Sequence, residues 1–363
     1  MLKVFGVTYD HSTNYGSCFQ AYALQSAIEK MIINGETCSY CLIPLKEMQD
    51  YPFKRHILYP FFKLLWNYQR LYFKSFDKNY MKYAVISKMS ELTKLNDTAD
   101  AFVCGSDVIW NTDLNHRLGA YYLDFAKKYA FSYAASFGKA EISQEDVLST
   151  RTWLQSFNAI SVREKTSFEI AKRCAEKPVE IVADPVILLK PDEWKTLTEP
   201  LLDSQKYIFV YSTHMNKTFK HFLSVLKKQT RLKVVLSICS PRQAVEQRIL
   251  SVYTPQEWLS LLRGAEYVLT NSFHATVFST LFHKKFFTVV SGDKAKGINM
   301  RMNDFLNTIG LENRIYSSVP DTIDISEIDY KTADEKIAQM RDESLMYLQR
   351  NLEEAYRQKM QQA

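Results

Sequence analysis

The residues of this chain best suited to chemistry lie together in Asn271-Ser272-Phe273-His274. Asn and Ser are the types that cap a helix start, where unpaired backbone N–H groups and a partial positive charge hold phosphates and carboxylates. His274 would stand in the first helical turn, able to bind such an anion or to pass a proton beside it. The plainer reading is a capped helix carrying a packed histidine. The flanks say what positions the group: Tyr267-Val-Leu269 has the content of a buried strand, and Ala275, Val277, Phe278, Leu281 and Phe282 follow the spacing of a helix packed on a sheet.

The same design recurs along the chain. Lys3 to Tyr9 reads as a strand, Phe19 to Met31 as an amphipathic helix and Thr37 to Ile43 as a returning strand, the unit from which parallel sheets are built. Ligands of such sheets bind beyond the carboxyl ends of the strands, which puts Asn14, Tyr15, Gly16 and Ser17 at the edge of a site. A lone Gly16 is no dinucleotide fingerprint. Further apolar strands run into Ser106, Asp107 and Trp110, into Ser136, into Arg163 and Glu164, and into Ala183-Asp184-Pro185. One polar strand end is ordinary; several at one sheet edge make a site.

A second alternating unit follows a linker at Leu188 to Ser204. It comprises strand Tyr207 to Tyr211, helix Lys217 to Gln229, strand Lys233 to Ile238, a helix opened by Pro255, the His274 stretch and strand Lys285 to Val290. A basic loop with Lys294, Lys296 and Arg301 precedes a short helix from Met302 to Ile309. The tail from Ala333 to about Lys359 is a charged helix with Met340, Leu345, Leu348 and Leu352 on one stripe, long enough to cross back and clasp the first domain. The expected architecture is α/β, with two Rossmann-like domains facing across a cleft: residues 1–190 on the acceptor side, 204–325 on the donor side, and a C-terminal helix over 326–363.

Composition bounds the function. An apolar fraction of 46% and a charged fraction of 24% are those of an ordinary globular protein. The N-terminus lacks the pattern of a signal peptide and no apolar run approaches the ~20 residues of a membrane span, so the expectation is a cytoplasmic protein. The six cysteines form no paired metal-binding spacing and read as reduced core thiols; no metal site is expected. The formal charge of +6 is concentrated. Between Tyr51 and Tyr83 stand seven bases (Lys54, Arg55, Lys63, Arg70, Lys74, Lys78, Lys82) against Asp77, and 7 − 1 = 6, so the rest of the chain is balanced. A broad nucleic-acid surface is therefore not indicated. This basic, aromatic insertion over 51–83 has two readings: a helical hairpin packed on the first domain, or an interfacial helix in peripheral contact with the inner face of an anionic membrane.

Taken in order, Asn14-Tyr-Gly-Ser17, Gly105-Ser-Asp-Val-Ile-Trp-Asn111, Tyr133-Ala-Ala-Ser-Phe-Gly138, Ile160-Ser-Val-Arg-Glu164, Val182-Ala-Asp-Pro185, Thr270-Asn-Ser-Phe-His274 and Arg301 resemble the sequence blocks of the polysaccharide pyruvyl transferase family. The resemblance runs over about residues 3–315 and implies a fold like that of GT-B glycosyltransferases. It also implies transfer of the enolpyruvyl unit of phosphoenolpyruvate to two hydroxyls of a sugar in a capsule, exopolysaccharide or other surface glycan, giving a cyclic ketal. Phosphoenolpyruvate is then a co-substrate and no resident cofactor is implied; the second partner is a glycan or lipid-linked sugar.

The resemblance carries donor binding onto Asn271, Ser272, His274, Lys294 and Arg301, and catalysis onto His274, Arg163 and Asp107. Acceptor contacts fall on Asn14, Tyr15, Gly16, Ser106, Trp110, Ser136 and Glu164. Asp107 and Glu164 are the carboxylates to consider as base, although either could instead orient Arg163. The chain departs from some relatives in having Ser272 where they carry arginine, and Val108 and Ala275 where glutamine and glycine are common. Two other functions share these features: a nucleotide-sugar glycosyltransferase of the same fold, and a non-catalytic glycan-binding protein.

Overall fold

The computed structural model describes residues 1–9, 13–45, 59–86, 88–113, 119–200, 205–238, 252–290 and 296–362. Among them, the apolar strands read from the sequence assemble into two parallel sheets. The first contains β1 (Leu2–Val7), β2 (Ile32–Ile33), β3 (Glu36–Leu42), β4 (Ala101–Cys104) and β5 (Tyr129–Ser132), in the order β2-β3-β1-β4-β5. All neighbours are parallel except the short β2, which turns back on β3. A parallel pair, β6 (Ile160–Val162) and β7 (Val179–Ile181), extends this sheet through bridges from Phe131 to Ala159 and from Ala135 to Val162.

The second sheet has the order β12-β11-β10-β8-β9 and is parallel throughout: β8 (Tyr207–Ser212), β9 (Lys233–Ile238), β10 (Tyr267–Thr270), β11 (Lys285–Val289) and β12 (Ile315–Tyr316). The central strands β4, β5 and β10 are buried along their whole length, which is why they read as continuous apolar runs rather than alternating ones.

Aromatic side chains join the two sheets. Helix α1 (Tyr15–Glu29) sets Tyr15 in a stack on Trp258, ring centroids 5.1 Å apart, and Phe19 against Phe278 at 5.2 Å. Trp194, in a short helix Pro191–Lys195, meets Phe278 at 4.9 Å. The expected linker is thus in part a folded wedge: its tryptophan is fully buried between the two halves because neither half alone can cover so large a ring.

The C-terminal helix, Lys331–Gln362, crosses back over the first sheet. Arg341 Nε donates to the Ile187 carbonyl at 2.7 Å, Ser344 Oγ accepts from the Ala183 N–H at 2.8 Å, and Tyr347 donates to the Ser132 carbonyl at 2.9 Å. Over the insertion, the described residues form the helix Tyr59–Tyr80; residues 51–58, on which the hairpin expectation also falls, lie outside the description. Its Phe73 and Phe76 are buried on α1, 5.0 Å from Tyr15 and 5.8 Å from Phe19. The packing reading of this segment therefore describes its inner face.

Candidate active site

Side chains from strand ends and from three helices meet in the cleft between the sheets. Beyond β4 the chain turns sharply. Gly105 has φ 129°, and a Cβ there would lie 2.0 Å from the Tyr133 carbonyl, so only glycine fits. Asp107 follows at φ 66°, an uncommon conformation for a residue with a side chain, and one that aspartate tolerates better than most. The turn aims its carboxylate across the cleft, where Ser17 Oγ donates to Oδ2 at 2.7 Å. Beyond β6 comes Arg163, and beyond β7 comes Asp184, which caps the short helix Pro185–Leu188 by accepting from the Val186 N–H at 3.0 Å. From the second sheet come Phe273 and His274, in the first turn of the helix Phe273–Leu281, and Arg301 from the helix Lys296–Thr308.

The centre is ionic and mostly buried. Arg163 Nη1 donates to Asp184 Oδ2 at 2.6 Å, its Nε lies 3.4 Å from Glu164 Oε2, and its Nη2 lies 4.0 Å from Asp107 Oδ1. Arg301 Nη1 reaches the same Asp107 oxygen at 3.9 Å. Both guanidinium groups flank the Phe273 ring, at 4.5 Å for Arg163 and 5.8 Å for Arg301. His274 Nε2 stands 3.4 Å from Asp184 Oδ2, within ion-pair distance though off hydrogen-bond geometry. Among the described residues of this cluster, three buried nitrogens are left without a hydrogen-bond partner: Arg163 Nη2, Arg301 Nε and His274 Nε2. Buried donors are costly to leave unpaired, so such a cluster is where an anion gains most.

Burial and neighbouring charge set the protonation states. Burial would raise the Asp184 carboxyl, but His274 and Arg163 outweigh it and hold the group well below the usual carboxylate range. Asp107 is lowered in the same way, against its burial, by His274, Arg163 and Arg301. Arg163 loses to burial and gains more from Asp184, Glu164 and Asp107, so its pKa rises. Arg301 has the opposite balance, lowered by burial and by Arg163. Asp304, on the Arg301 helix, is raised by burial and then by Glu164. A cavity of about 660 Å³ opens onto this group, with Arg163, Asp184, Phe273, Arg301 and Asp304 in its wall.

Of the residues expected at the site, Arg163, Asp107, His274 and Arg301 are brought together. Ser272 is the cap residue of the His274 helix, yet its side chain makes no capping bond. Asn271 instead ties down the loop after β8, accepting from the Thr213 N–H at 2.8 Å and donating to the His214 carbonyl at 2.9 Å. Glu164 accepts from Ser136 at 2.7 Å, from Ser167 and from Arg163, which commits it to orienting Arg163. Lys294 lies outside the described residues.

Most residues expected on the acceptor side have internal partners. Tyr15 is fully buried, its hydroxyl spent on the Tyr253 backbone at 2.9 Å. Trp110 is equally buried, stacked 5.1 Å from Tyr122 with its indole N–H on the Tyr121 carbonyl. Ser106 donates to the Ala134 carbonyl at 3.0 Å and Ser136 is spent on Glu164, so neither offers a free hydroxyl. Asn14 caps α1 by accepting from Gly16 and Ser17. Gly16 lets the imidazole of His274 rest on the α1 backbone: a Cβ there would lie 2.2 Å from Nδ1. Tyr15, Trp110, Ser106 and Ser136 thus meet internal partners that strand and helix periodicity does not reveal.

The chain matches the family described as polysaccharide pyruvyl transferase over residues 14–293. It belongs to that family. Comparison with curated proteins by sequence gives no match. Among solved structures, a UDP-N-acetylglucosamine 2-epimerase superposes with a TM-score of 0.51 at 10% identity, covering 96% of each chain. The Methanocaldococcus jannaschii UDP-GlcNAc 2-epimerase gives 0.49 at 12% identity over 94% of this chain and 92% of that one. The Neisseria meningitidis epimerase bound to UDP-GlcNAc gives 0.48 at 14% identity over 94% and 100%. At such identities the likeness concerns the fold, a GT-B-like pair of parallel sheets. In this polysaccharide pyruvyl transferase family member, Asp304 joins the site without having been singled out in the sequence, and Ser17, Phe273 and Asp184, which lay in the strand-end blocks, join it without a role having been assigned to them. Asp184 had a legible signal, an Asp-Pro pair at a strand end, where aspartate caps and proline starts a helix.

Proposed function

We propose that the protein transfers the enolpyruvyl unit of phosphoenolpyruvate to two hydroxyls of one sugar in a surface glycan, releasing phosphate and leaving a cyclic ketal. The observation that carries this is the pair of buried guanidiniums astride Phe273, each with an unpaired N–H, beside His274. A small donor with a carboxylate and a phosphate would satisfy both at once. Arg163 Nη2 takes one anionic group. Arg301, with the open start of the His274 helix, takes the other.

Chemistry needs a proton on the methylene carbon, and His274, held by Asp184, supplies it. The cationic carbon that results is attacked by one hydroxyl, which loses its proton; the carbon–oxygen bond to phosphate breaks, and the second hydroxyl closes the ring, its proton leaving with the phosphate. Both Asp107 and Asp304 are near enough to be considered as base. Asp107 is held ionised too firmly to draw a proton well at neutral pH, and it serves to align the two arginines. Asp304, raised and in the cavity wall, is the better acceptor of the hydroxyl proton.

Thermal unfolding with phosphoenolpyruvate tests the donor. At a hundredfold excess over Kd the expected gain is about 2.7 kcal/mol, with no gain from UDP. His274→Ala should keep the fold and abolish phosphate release. Stabilisation by UDP and none by phosphoenolpyruvate would replace this reading with sugar transfer from a nucleotide.

A further inference from the structure

Among the described side chains of the helix Tyr59–Tyr80, one face is covered and an apolar stripe on the opposite side is exposed. Gln69, Phe73 and Phe76 point inward, and the Gln69 amide donates to the Thr13 carbonyl at 3.3 Å, just before the α1 turn that carries Gly16 and Ser17. Leu64, Tyr68 and Leu71, spaced four and three residues apart, form a stripe on the opposite side and are 64%, 43% and 55% exposed. At 100° per residue the stripe lies about 150° around the helix from the buried face. Lys74 and Lys78 are exposed along its flank. No described helix is long and apolar enough to cross a membrane.

We propose that this outer face docks on an anionic lipid surface, with Leu64, Tyr68 and Leu71 in the headgroup boundary and Lys74 and Lys78 on lipid phosphates. Charge decides among occupants. The exposed bases beside the stripe, Lys74 and Lys78, would be brought against the same two bases by a second copy of this chain meeting the same face, like charge against like. A nucleic acid would answer the lysines but leave three large apolar side chains in water. A bilayer surface rich in acidic lipid answers both, by burying the stripe and by attracting each base. Lys82, beyond the end of the helix, is paired with Glu29 at 2.8 Å. The inference stands apart from the donor chemistry above.

The test is sedimentation of the full chain with vesicles of phosphatidylcholine containing about one-third phosphatidylglycerol, beside vesicles of phosphatidylcholine alone. The wild type should bind the first and not the second. Lys74→Glu with Lys78→Glu should lower partitioning at least about ten-fold, since each basic residue near such a surface is worth roughly five-fold. Leu64→Asp with Leu71→Asp should do the same with the positive charges kept. Lys227→Glu with Lys228→Glu, exposed on the second domain, changes net charge equally and should leave binding within about three-fold. Circular dichroism and phosphoenolpyruvate protection should be unchanged in all three variants. Absence of binding to the acidic vesicles, or an equal loss in the control pair, would overturn the proposal.

Discussion

Replacing Asp184 by asparagine separates the charge at the centre of the site from its shape. Asparagine keeps an oxygen to cap the Val186 N–H, so the short helix it starts should persist. What disappears is the negative charge 2.6 Å from Arg163 Nη1 and 3.4 Å from His274 Nε2. Breaking one side of a buried ion pair costs ~3–5 kcal/mol. Arg163 retains Glu164 at 3.4 Å and Asp107 at 4.0 Å, which argues for the lower end, about 3 kcal/mol at neutral pH.

The pH dependence distinguishes charge from packing. A carboxyl whose folded pKa is depressed contributes stability above its unfolded value of ~3.9 and loses it as pH falls through the folded value. The gap between wild type and Asp184→Asn, read from urea unfolding, should therefore be full at pH 7 and narrow steadily below about pH 4. Because His274 loses its anchor, phosphate release should fall about a hundredfold or more. A gap of the same size from pH 7 to pH 3, or one under ~0.5 kcal/mol at pH 7, would refute the assignment of Asp184 as the ionised keystone of the cluster.

Three further substitutions probe the rest of the site. Arg163→Lys, which replaces a planar fork by a point charge among three carboxylates, should reduce turnover about a hundredfold and weaken protection by phosphoenolpyruvate. Gly16→Ala places a methyl 2.2 Å from His274 Nδ1, so the ring or α1 must shift; a stability loss of ~1–3 kcal/mol with a larger loss of turnover is expected from combined denaturation and kinetic measurements. Asp304→Asn should retain donor protection and full stability at pH 7, since a raised carboxyl favours the folded state only as it takes up a proton. It should also lose ~10²–10⁴ in turnover, and in the wild type the acidic limb of kcat/KM should lie above the usual carboxylate range.

Much of the architecture was legible before any coordinates. The strands β4, β5 and β10 are continuous apolar runs because both faces are covered, and their polar ends mark the edge where a parallel sheet receives ligands. The same local logic identified His274 at a helix start and Arg163 beyond β6. The limit of that logic is visible in Tyr15 and Trp110, which stand at the expected edge but turn inward. A strand end determines where a residue's backbone lies and says little about whether its side chain faces the cleft or the nearest aromatic cluster.

What the chain alone determined was the order of strands and helices and the residue types at their ends, since backbone periodicity and capping are encoded within a few neighbouring residues. Tertiary structure decided which of those ends share charge. Nothing near Asp184 in the sequence hints at His274, which lies 90 positions downstream, and only the closing of one sheet on the other brings the Asp184 oxygen to 3.4 Å from that ring. Ion pairing across a cleft depends on the packing of Tyr15, Phe19, Trp194, Trp258 and Phe278 between the halves, a long-range geometry that no local pattern contains.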